Sequence, residues 1–282
     1  MSLQEYLYQR HAVGTVKRYL REIRLFVAWV ESPERAGYQQ VMDYIGGLRR
    51  SGLDANPPLC AIKQYYSYLV AEGIRGDHPA KSIRLRDKRG KDIQLQDLFK
   101  AEELALLLDR KERYPILRNR NQIIISLLIW QGLTNGEVKN LEVGDIHLEA
   151  GTVHIKAQRK TSARTLKLQP RQVYWLMHYI GEDRPRLLKV QTQKLIISKA
   201  GNPENGEGIS YLIGCCQHLF PDRKLNAKTI RQSVIANLLK SGNDLRVVQA
   251  FAGHKYPSAT EHYKQTQVEA LKQAVLKHHP LQ

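Results

Sequence analysis

The chain has 282 residues, 42% of them hydrophobic, with 44 Lys plus Arg against 27 Asp plus Glu. That apolar content excludes a disordered chain, the length gives room for two modest domains, and a formal charge of +17 with a pI near 9.8 points to a polyanionic partner, nucleic acid first. No apolar run reaches the roughly eighteen residues of a membrane span, and MSLQEYLYQRH lacks the charged start and apolar middle of a signal peptide, so a cytoplasmic protein without a membrane partner is expected. Cys60, Cys215 and Cys216 read as buried thiols in a reducing compartment, with neither a disulfide nor a metal site expected from them.

The first eighty residues read as all-helical. In TVKRYLREIRLFVAWV the apolar positions Val16, Tyr19, Leu20, Ile23, Phe26, Val27 and Val30 fall on one stripe of an amphipathic helix. YQQVMDYIGGLRRSG predicts a shorter helix stopped at Gly52, and ANPPLCAIKQYYSYLVAEG a third with Asn56 as its cap and prolines in the first turn. With the N-terminal segment these make a four-helix unit over residues 1–80. KSIRLRDKRGK follows, in which Lys81, Arg84, Arg86, Lys88, Arg89 and Lys91 face the single acid Asp87. Residues 81–93 are therefore expected to be an exposed basic linker suited to a phosphate backbone.

From residue 94 onward the pattern is mixed. LFKAEELALLLDR and RNRNQIIISLLIWQGL read as helices, the second apolar enough to be a core element. The segments TVHIK and RTLKL flank a polar, basic turn, and KLIIS is a candidate third strand. The remainder returns to helix. A helix capped at Asn226 places Lys228 and Arg231 three apart on one face, with Ile230, Val234 and Leu238 on the buried side, and ends at Gly242. Asp244 starts a further helix that stops at Gly253 and presents His254. Ser258 and Glu261 have capping-box spacing, which puts Tyr263 in the second turn of the next helix. Two cations, an imidazole and a phenol are therefore expected to converge, a set that phosphate chemistry would use.

LLKSGNDLRVVQAFAGHKYPSATEHY resembles the second conserved box of the tyrosine recombinases, the integrase and Xer-type site-specific recombinases. QGLTNGEVKNLEVGDIHLEAGTVHI resembles the first box, RKTSARTLKL the hairpin with a catalytic lysine, DHPAKSI the end of the core-binding domain, and VEALKQAVLKHHP the tail of Xer-type members. The resemblance implies a mainly α protein: a SAM-like four-helix core-binding domain, then over residues 94–282 an α-rich catalytic domain with a small antiparallel sheet, the DNA breaking-rejoining fold. It implies that Tyr263 attacks the scissile phosphate to give a 3′-phosphotyrosyl bond and a free 5′-hydroxyl. Arg231 would stabilise the transition state, Lys160 would act as general acid with Arg159 as the alternative, Lys228 would stand where histidine is usual, and His254 would orient phosphate or help deprotonate Tyr263. Duplex DNA, a dimer on each core site and a tetrameric synapse are implied as partners. A C-shaped clamp, no cofactor or metal, and a C-terminal helix carrying Val268, Leu271, Ala274 and Val275 that docks on a neighbouring protomer complete the expectation.

The chain departs from the family at Thr134, where arginine is usual and Glu137 would help to hold it. Losing one preorganised donor costs roughly 10²- to 10³-fold in rate. Lys139, Arg159 and Arg164 are near in sequence, although a helix would point Lys139 away from Thr134, and the sequence does not choose among them. Some mobile-element recombinases of this family also lack that arginine. Site-specific recombination or integration is the leading reading. The alternatives are a catalytically impaired DNA-binding accessory protein and a topoisomerase-like nicking enzyme.

Overall fold

The computed structural model describes residues 1–85, 95–159, 161–261 and 263, and it divides into two compact units, Met1–Arg89 and Gly90–Gln282. The first is a helical unit. Helix α1 (Leu3–Tyr8) is closed by a capping box between Ser2 and Glu5, and α2 (Val13–Trp29) follows. The stripe read from the sequence is the one buried: Val16, Ile23, Phe26 and Val30 are enclosed, while Val27 lies at the margin and is exposed. Helix α3 (Tyr38–Arg50) ends where Gly52 takes φ of 71°, and α4 (Asn56–Ala71) packs along α2. Asn56 is the first residue of α4 rather than its cap, which is Ala55. The Pro57–Pro58 pair needs no N–H in that first turn.

Phe26, Tyr44 and Tyr66 meet edge-on at the centre of this unit, and Tyr66 donates its hydroxyl to the Pro33 carbonyl at 3.0 Å. Ordered packing continues past residue 80, where the helical domain was expected to end. Ile83 is buried with this core, and Lys63 Nζ donates to the Ile83 carbonyl at 2.6 Å. An alternation of Ile83 and Leu85 with the polar Ser82 and Arg84 gives the segment an apolar side to bury. Lys81 and Arg84 are exposed; Arg86, Lys88, Arg89 and Lys91 lie outside the described residues.

The second unit is built on α6 (Arg118–Ile129), reached through the short α5 (Ala101–Ala105) and a 3₁₀ turn. Every residue from Ile123 to Ile129 is buried, as a helix that is apolar all round must be. Helix α7 (Asn135–Asn140) leads to a three-stranded antiparallel sheet in the order β1 (Ile146–His147), β2 (Thr152–Ile155), β3 (Arg164–Lys167). The KLIIS segment is not its third strand: β1 holds that place. KLIIS forms only isolated bridges, because Leu195, Ile196 and Ile197 are all at 0% exposure and fill the core instead of alternating.

Helices α8 (Pro170–His178), α9 (Arg184–Leu187) and α10 (Glu207–Gly214) cover the core, and α11 (Ala227–Lys240) and α12 (Leu245–Ala252) complete the described elements. Asn226 accepts hydrogen bonds from the Lys228 and Thr229 amides, so α11 starts where the sequence indicates. Ser233 and Asn237 on α11 bond the amide and carbonyl of Phe99, fixing this helix against the start of the unit. Asp244 caps α12, and Gly253 at φ 69° ends it. Of the three cysteines only Cys216 is buried; Cys60 is exposed on α4 and Cys215 half-buried, because only Cys216 points from the end of α10 into the core. Among the described residues no helix is long and apolar enough to cross a membrane. The C-terminal helix expected after Tyr263 lies outside them.

Candidate active site

The site begins where α6 ends. Gly132, at φ 59°, turns the chain so closely under α11 that a Cβ there would sit 3.3 Å from Val234. Two residues on, Thr134 caps α7: its hydroxyl accepts from the Glu137 amide at 3.1 Å, while its own amide donates to Glu137 Oε2 at 2.9 Å. This box turns the Glu137 carboxylate inward, to 1% exposure.

The carboxylate is then surrounded by cations. Arg164 Nη1 donates to Glu137 Oε1 at 2.7 Å, and Arg231 Nη1 lies 3.6 Å from Oε2. Burial pushes the Glu137 pKa up, but the Arg164 hydrogen bond and charge, the Thr134 amide and Arg231 outweigh it and hold the group below the usual carboxylate value. Arg231 is 8% exposed and donates to two carbonyls, Gly132 at 2.6 Å and Ala252 at 2.5 Å. Its orientation is therefore fixed by the ends of α6 and α12. Burial lowers its pKa, an effect that Glu137 offsets.

Arg164 reaches this point because of the sheet register. It pairs with Ile155 in the antiparallel ladder, as Leu166 pairs with Val153, so these four side chains share the inward face. The Arg164 side chain is only 6% exposed. Its guanidinium lies against Gly253, where a Cβ would meet Nη1 at 2.6 Å. Among the described residues it has one hydrogen-bond partner, Glu137, and the Nε and Nη2 donors are buried with none. Leaving a buried donor unpaired costs roughly 1–3 kcal/mol.

The hairpin that carries Arg164 is laced to the segment before Tyr263. Thr161 bridges His254, the Ser162 amide donates to the Gly253 carbonyl at 2.8 Å, and Lys255 Nζ donates to the Arg159 carbonyl at 3.2 Å. His254 Nδ1 lies 2.8 Å from Thr260 Oγ1. Burial, then the neighbouring Arg231 and Arg164, bring its pKa down to about 4, so the ring is neutral at pH 7. Tyr263 is 7% exposed, packed with Ile235, Ala236, Val248 and Ala252. Burial raises its phenol to about 12, against a pull downward from Arg231.

Of the residues singled out in the sequence, Glu137, Arg231, His254 and Tyr263 are thus brought together and buried or half-buried. Lys228 is exposed on the first turn of α11: three residues from Arg231 it shares its side of the helix, one turn nearer the N-terminus. Lys160 lies outside the described residues. Residues 258–261 are helical, one position earlier than the Ser258 capping box implied, and the Thr260 and Glu261 amides bond the Pro257 carbonyl. Thr134 keeps the helix-capping half of its position, and the cation that Glu137 holds is Arg164 of β3 rather than a side chain at position 134.

The Phage integrase family model matches residues 98–270, more than half of the chain, and the chain belongs to that family. It is similar to the tyrosine recombinase XerD of Lacticaseibacillus casei, 24% identical over 270 residues, which cover 93% of this chain and 91% of that protein. Its fold is that of the Tn1549 transposon integrase in complex with transposon right end DNA, at a TM-score of 0.65 and 14% identity over 97% of this chain and 99% of the other. A lambda integrase dimer bound to a COC′ core site has the same fold, with a TM-score of 0.65, 14% identity and 92% of each chain covered.

Proposed function

We propose that this chain is a site-specific DNA recombinase that cuts and rejoins duplex DNA through a covalent link to Tyr263. The observation that carries this reading is the convergence of Tyr263, His254 and Glu137 on one buried arginine, Arg231, in a chain of this family with a formal charge of +17. The Tyr263 oxygen attacks the scissile phosphorus, a phosphotyrosyl bond forms, the P–O5′ bond breaks, and the 5′-oxygen leaves. Because the phenol sits near 12, it is protonated at neutral pH and must lose its proton as it attacks. Neutral His254 is suited to accept that proton or to orient the phosphate. The leaving oxygen takes a proton from Lys160. Charge that grows on the non-bridging oxygens is met by Arg231, whose guanidinium is held in place before DNA arrives. Lys228, exposed beside it, adds a further donor to the phosphate.

The phosphotyrosyl ester keeps the energy of the broken phosphodiester, so a 5′-hydroxyl from a partner duplex reverses the step without a nucleotide or metal. Exchange between duplexes needs a protomer at each cut, hence dimers on a core site and a tetramer in synapsis. The helical unit and the basic segment around Lys81 and Arg84 supply sequence-independent backbone contacts, each neutralised phosphate adding about 0.9 to the salt slope of binding. Such work places the protein with the chromosome, in the cytoplasm.

The test is covalent trapping on nicked suicide duplexes drawn from the source genome, from which the short fragment carrying the new 5′-hydroxyl is lost once cut. A denaturant-resistant protein–DNA band that is absent from Tyr263→Phe supports the reading. DNA retention without any adduct would instead make the chain an accessory DNA-binding protein.

A further inference from the structure

We infer that Arg164 is a catalytic residue, and that the Nε/Nη2 edge of its guanidinium is a phosphate-binding fork standing in for the arginine that this chain lacks at Thr134. The inference rests on the recombinase reading above and deepens it.

Three observations carry it. The first is the pattern of pairing. Five buried side-chain polar atoms among the described residues have no hydrogen-bond partner, and three of them cluster here: Arg164 Nε, Arg164 Nη2 and Thr161 Oγ1. In a folded protein such atoms are nearly always satisfied, so a cluster of them asks for a missing acceptor. Nε and Nη2 lie on one edge of the guanidinium and donate in parallel, the geometry that matches two oxygens of a phosphate. The other side of the group is committed, through Nη1, to Glu137 at 2.7 Å. Arg164 is thus held by its carboxylate with its bidentate edge unused.

The second is location. Arg164 is close enough to Arg231 and to His254 that its charge lowers the pKa of both. Thr161 is bridged to His254. A phosphate that accepts from Arg164 would therefore also meet the residues assigned to the reaction. Two buried guanidiniums face a single carboxylate, Glu137, and the surplus positive charge suits an anion.

The third is that the competing cations are turned elsewhere. Lys139 runs along Gly206, with its Cδ 3.3 Å from where a Cβ on that glycine would stand, on the side of α7 that faces the start of α10. Arg159 is exposed in the hairpin turn. Of the three, Arg164 is the one that reaches the Glu137 carboxylate. Its neighbour confirms the fit on steric grounds: Gly253 has no side chain where the guanidinium lies, and any Cβ would displace it.

In the reaction Arg164 forms and breaks no covalent bond; its two donors hold the non-bridging oxygens as their charge increases. The test compares wild type, Arg164→Lys, Arg164→Ala and the double variant Arg164→Ala with Thr134→Arg, on nicked suicide duplexes with a normal or a methylphosphonate linkage at the cut. Lysine keeps a cation for Glu137 but loses the fork. Arg164→Lys is expected to form adduct roughly 10²-fold more slowly while retaining DNA and thermal stability. The loss should shrink on the methylphosphonate, where one charged oxygen is replaced by methyl, and Thr134→Arg should restore rate to Arg164→Ala. An Arg164→Lys protein that cleaves the normal linkage at the wild-type rate, or whose defect is equal on both linkages, would show a purely structural arginine and overturn the inference.

A second measurement separates this failure from that of the recombinase reading. If wild type forms no adduct, the recombinase reading falls, and the ¹⁵N resonance of Arg164 Nε is followed as inorganic phosphate is added to the full chain. A shift that saturates, and is absent for Arg164→Lys, places phosphate on this edge; no shift removes the proposed fork.

Discussion

Replacing Glu137 by Gln removes one charge from the centre of the site while preserving its shape. The carboxylate accepts from Arg164 at 2.7 Å, from the Thr134 amide at 2.9 Å and from the Thr134 hydroxyl at 3.1 Å, with Arg231 at 3.6 Å. A glutamine amide has one acceptor oxygen and one donor nitrogen. Facing its oxygen to Arg164 sets its NH₂ against the Thr134 amide; facing it the other way sets NH₂ against the guanidinium. Either orientation opposes donor to donor and leaves two buried cations without a counter-charge. Breaking a buried pair on one side costs about 3–5 kcal/mol, which for a unit of this size lowers its melting temperature by roughly 10 °C. Calorimetry of the full chain at pH 7 reads the loss in the transition of the second unit.

The pH dependence has a fixed sign. The folded-state pKa of Glu137 lies below its ordinary 4.5, so its stabilisation is fully present above that value and is lost as pH falls through the lower, folded value. Wild type and Glu137→Gln should therefore converge in acid. Added sulfate should stabilise the variant more than wild type, because an anion replaces the missing charge. A loss under about 1 kcal/mol at pH 7, well short of the cost of breaking a buried pair, or a gap that does not close in acid, would refute the picture of a carboxylate compressed between two arginines.

Gly253→Ala places a methyl 2.6 Å from Arg164 Nη1 at a residue whose φ is 69°. The left-handed backbone alone costs a non-glycine residue roughly 1–2 kcal/mol, and the displaced guanidinium should slow adduct formation more than tenfold, in the manner of a lost charge-stabilising donor; unchanged trapping kinetics would contradict the contact. His254 should remain neutral down to about pH 4 in the DNA-free protein and gain protons at higher pH when phosphate is bound, as an imidazole NMR titration would show. Its depressed pKa means that the unfolded chain binds the extra proton first, so stability should fall as pH drops from about 6.5 toward 4, and His254→Asn should remove that part of the slope.

Much of this molecule is legible in its sequence because local physics dictates it. The caps at Asn226 and Asp244, the glycine stops at Gly52, Gly242 and Gly253, and the apolar run of α6 all appear in the structure as the sequence indicates. Asn56 and Ser258 each stand one residue inside the helix that the sequence has them cap, because a proline beside each fixes the first turn. KLIIS reads as a strand in the sequence because a short apolar run has no period that separates a strand from a buried irregular segment.

The Glu137–Arg164 pair was not legible, since it joins a helix N-terminus to a strand 27 residues away. A signal was nevertheless present. In RTLKL the residues Arg164, Leu166 and Leu168 alternate with Thr165 and Lys167, so an arginine occupies the inward position of a strand whose other inward positions are leucine. A buried arginine requires an acid, and Glu137 is the acid at the capping-box position. Thr134 then has its own explanation: its hydroxyl caps α7 and so holds the carboxylate that holds Arg164.

The central claim, that Tyr263 forms a 3′-phosphotyrosyl bond, is tested most directly by locating the linkage itself. Adduct formed on an end-labelled suicide duplex is digested with trypsin and nuclease, and the modified peptide is sequenced by mass spectrometry. The chain has 14 tyrosines, so the assignment is discriminating. The expected product is a nucleotide joined through its 3′-phosphate to Tyr263 alone, with a 5′-hydroxyl on the released strand. A modified residue other than Tyr263, or a linkage to the 5′-phosphate, would contradict it.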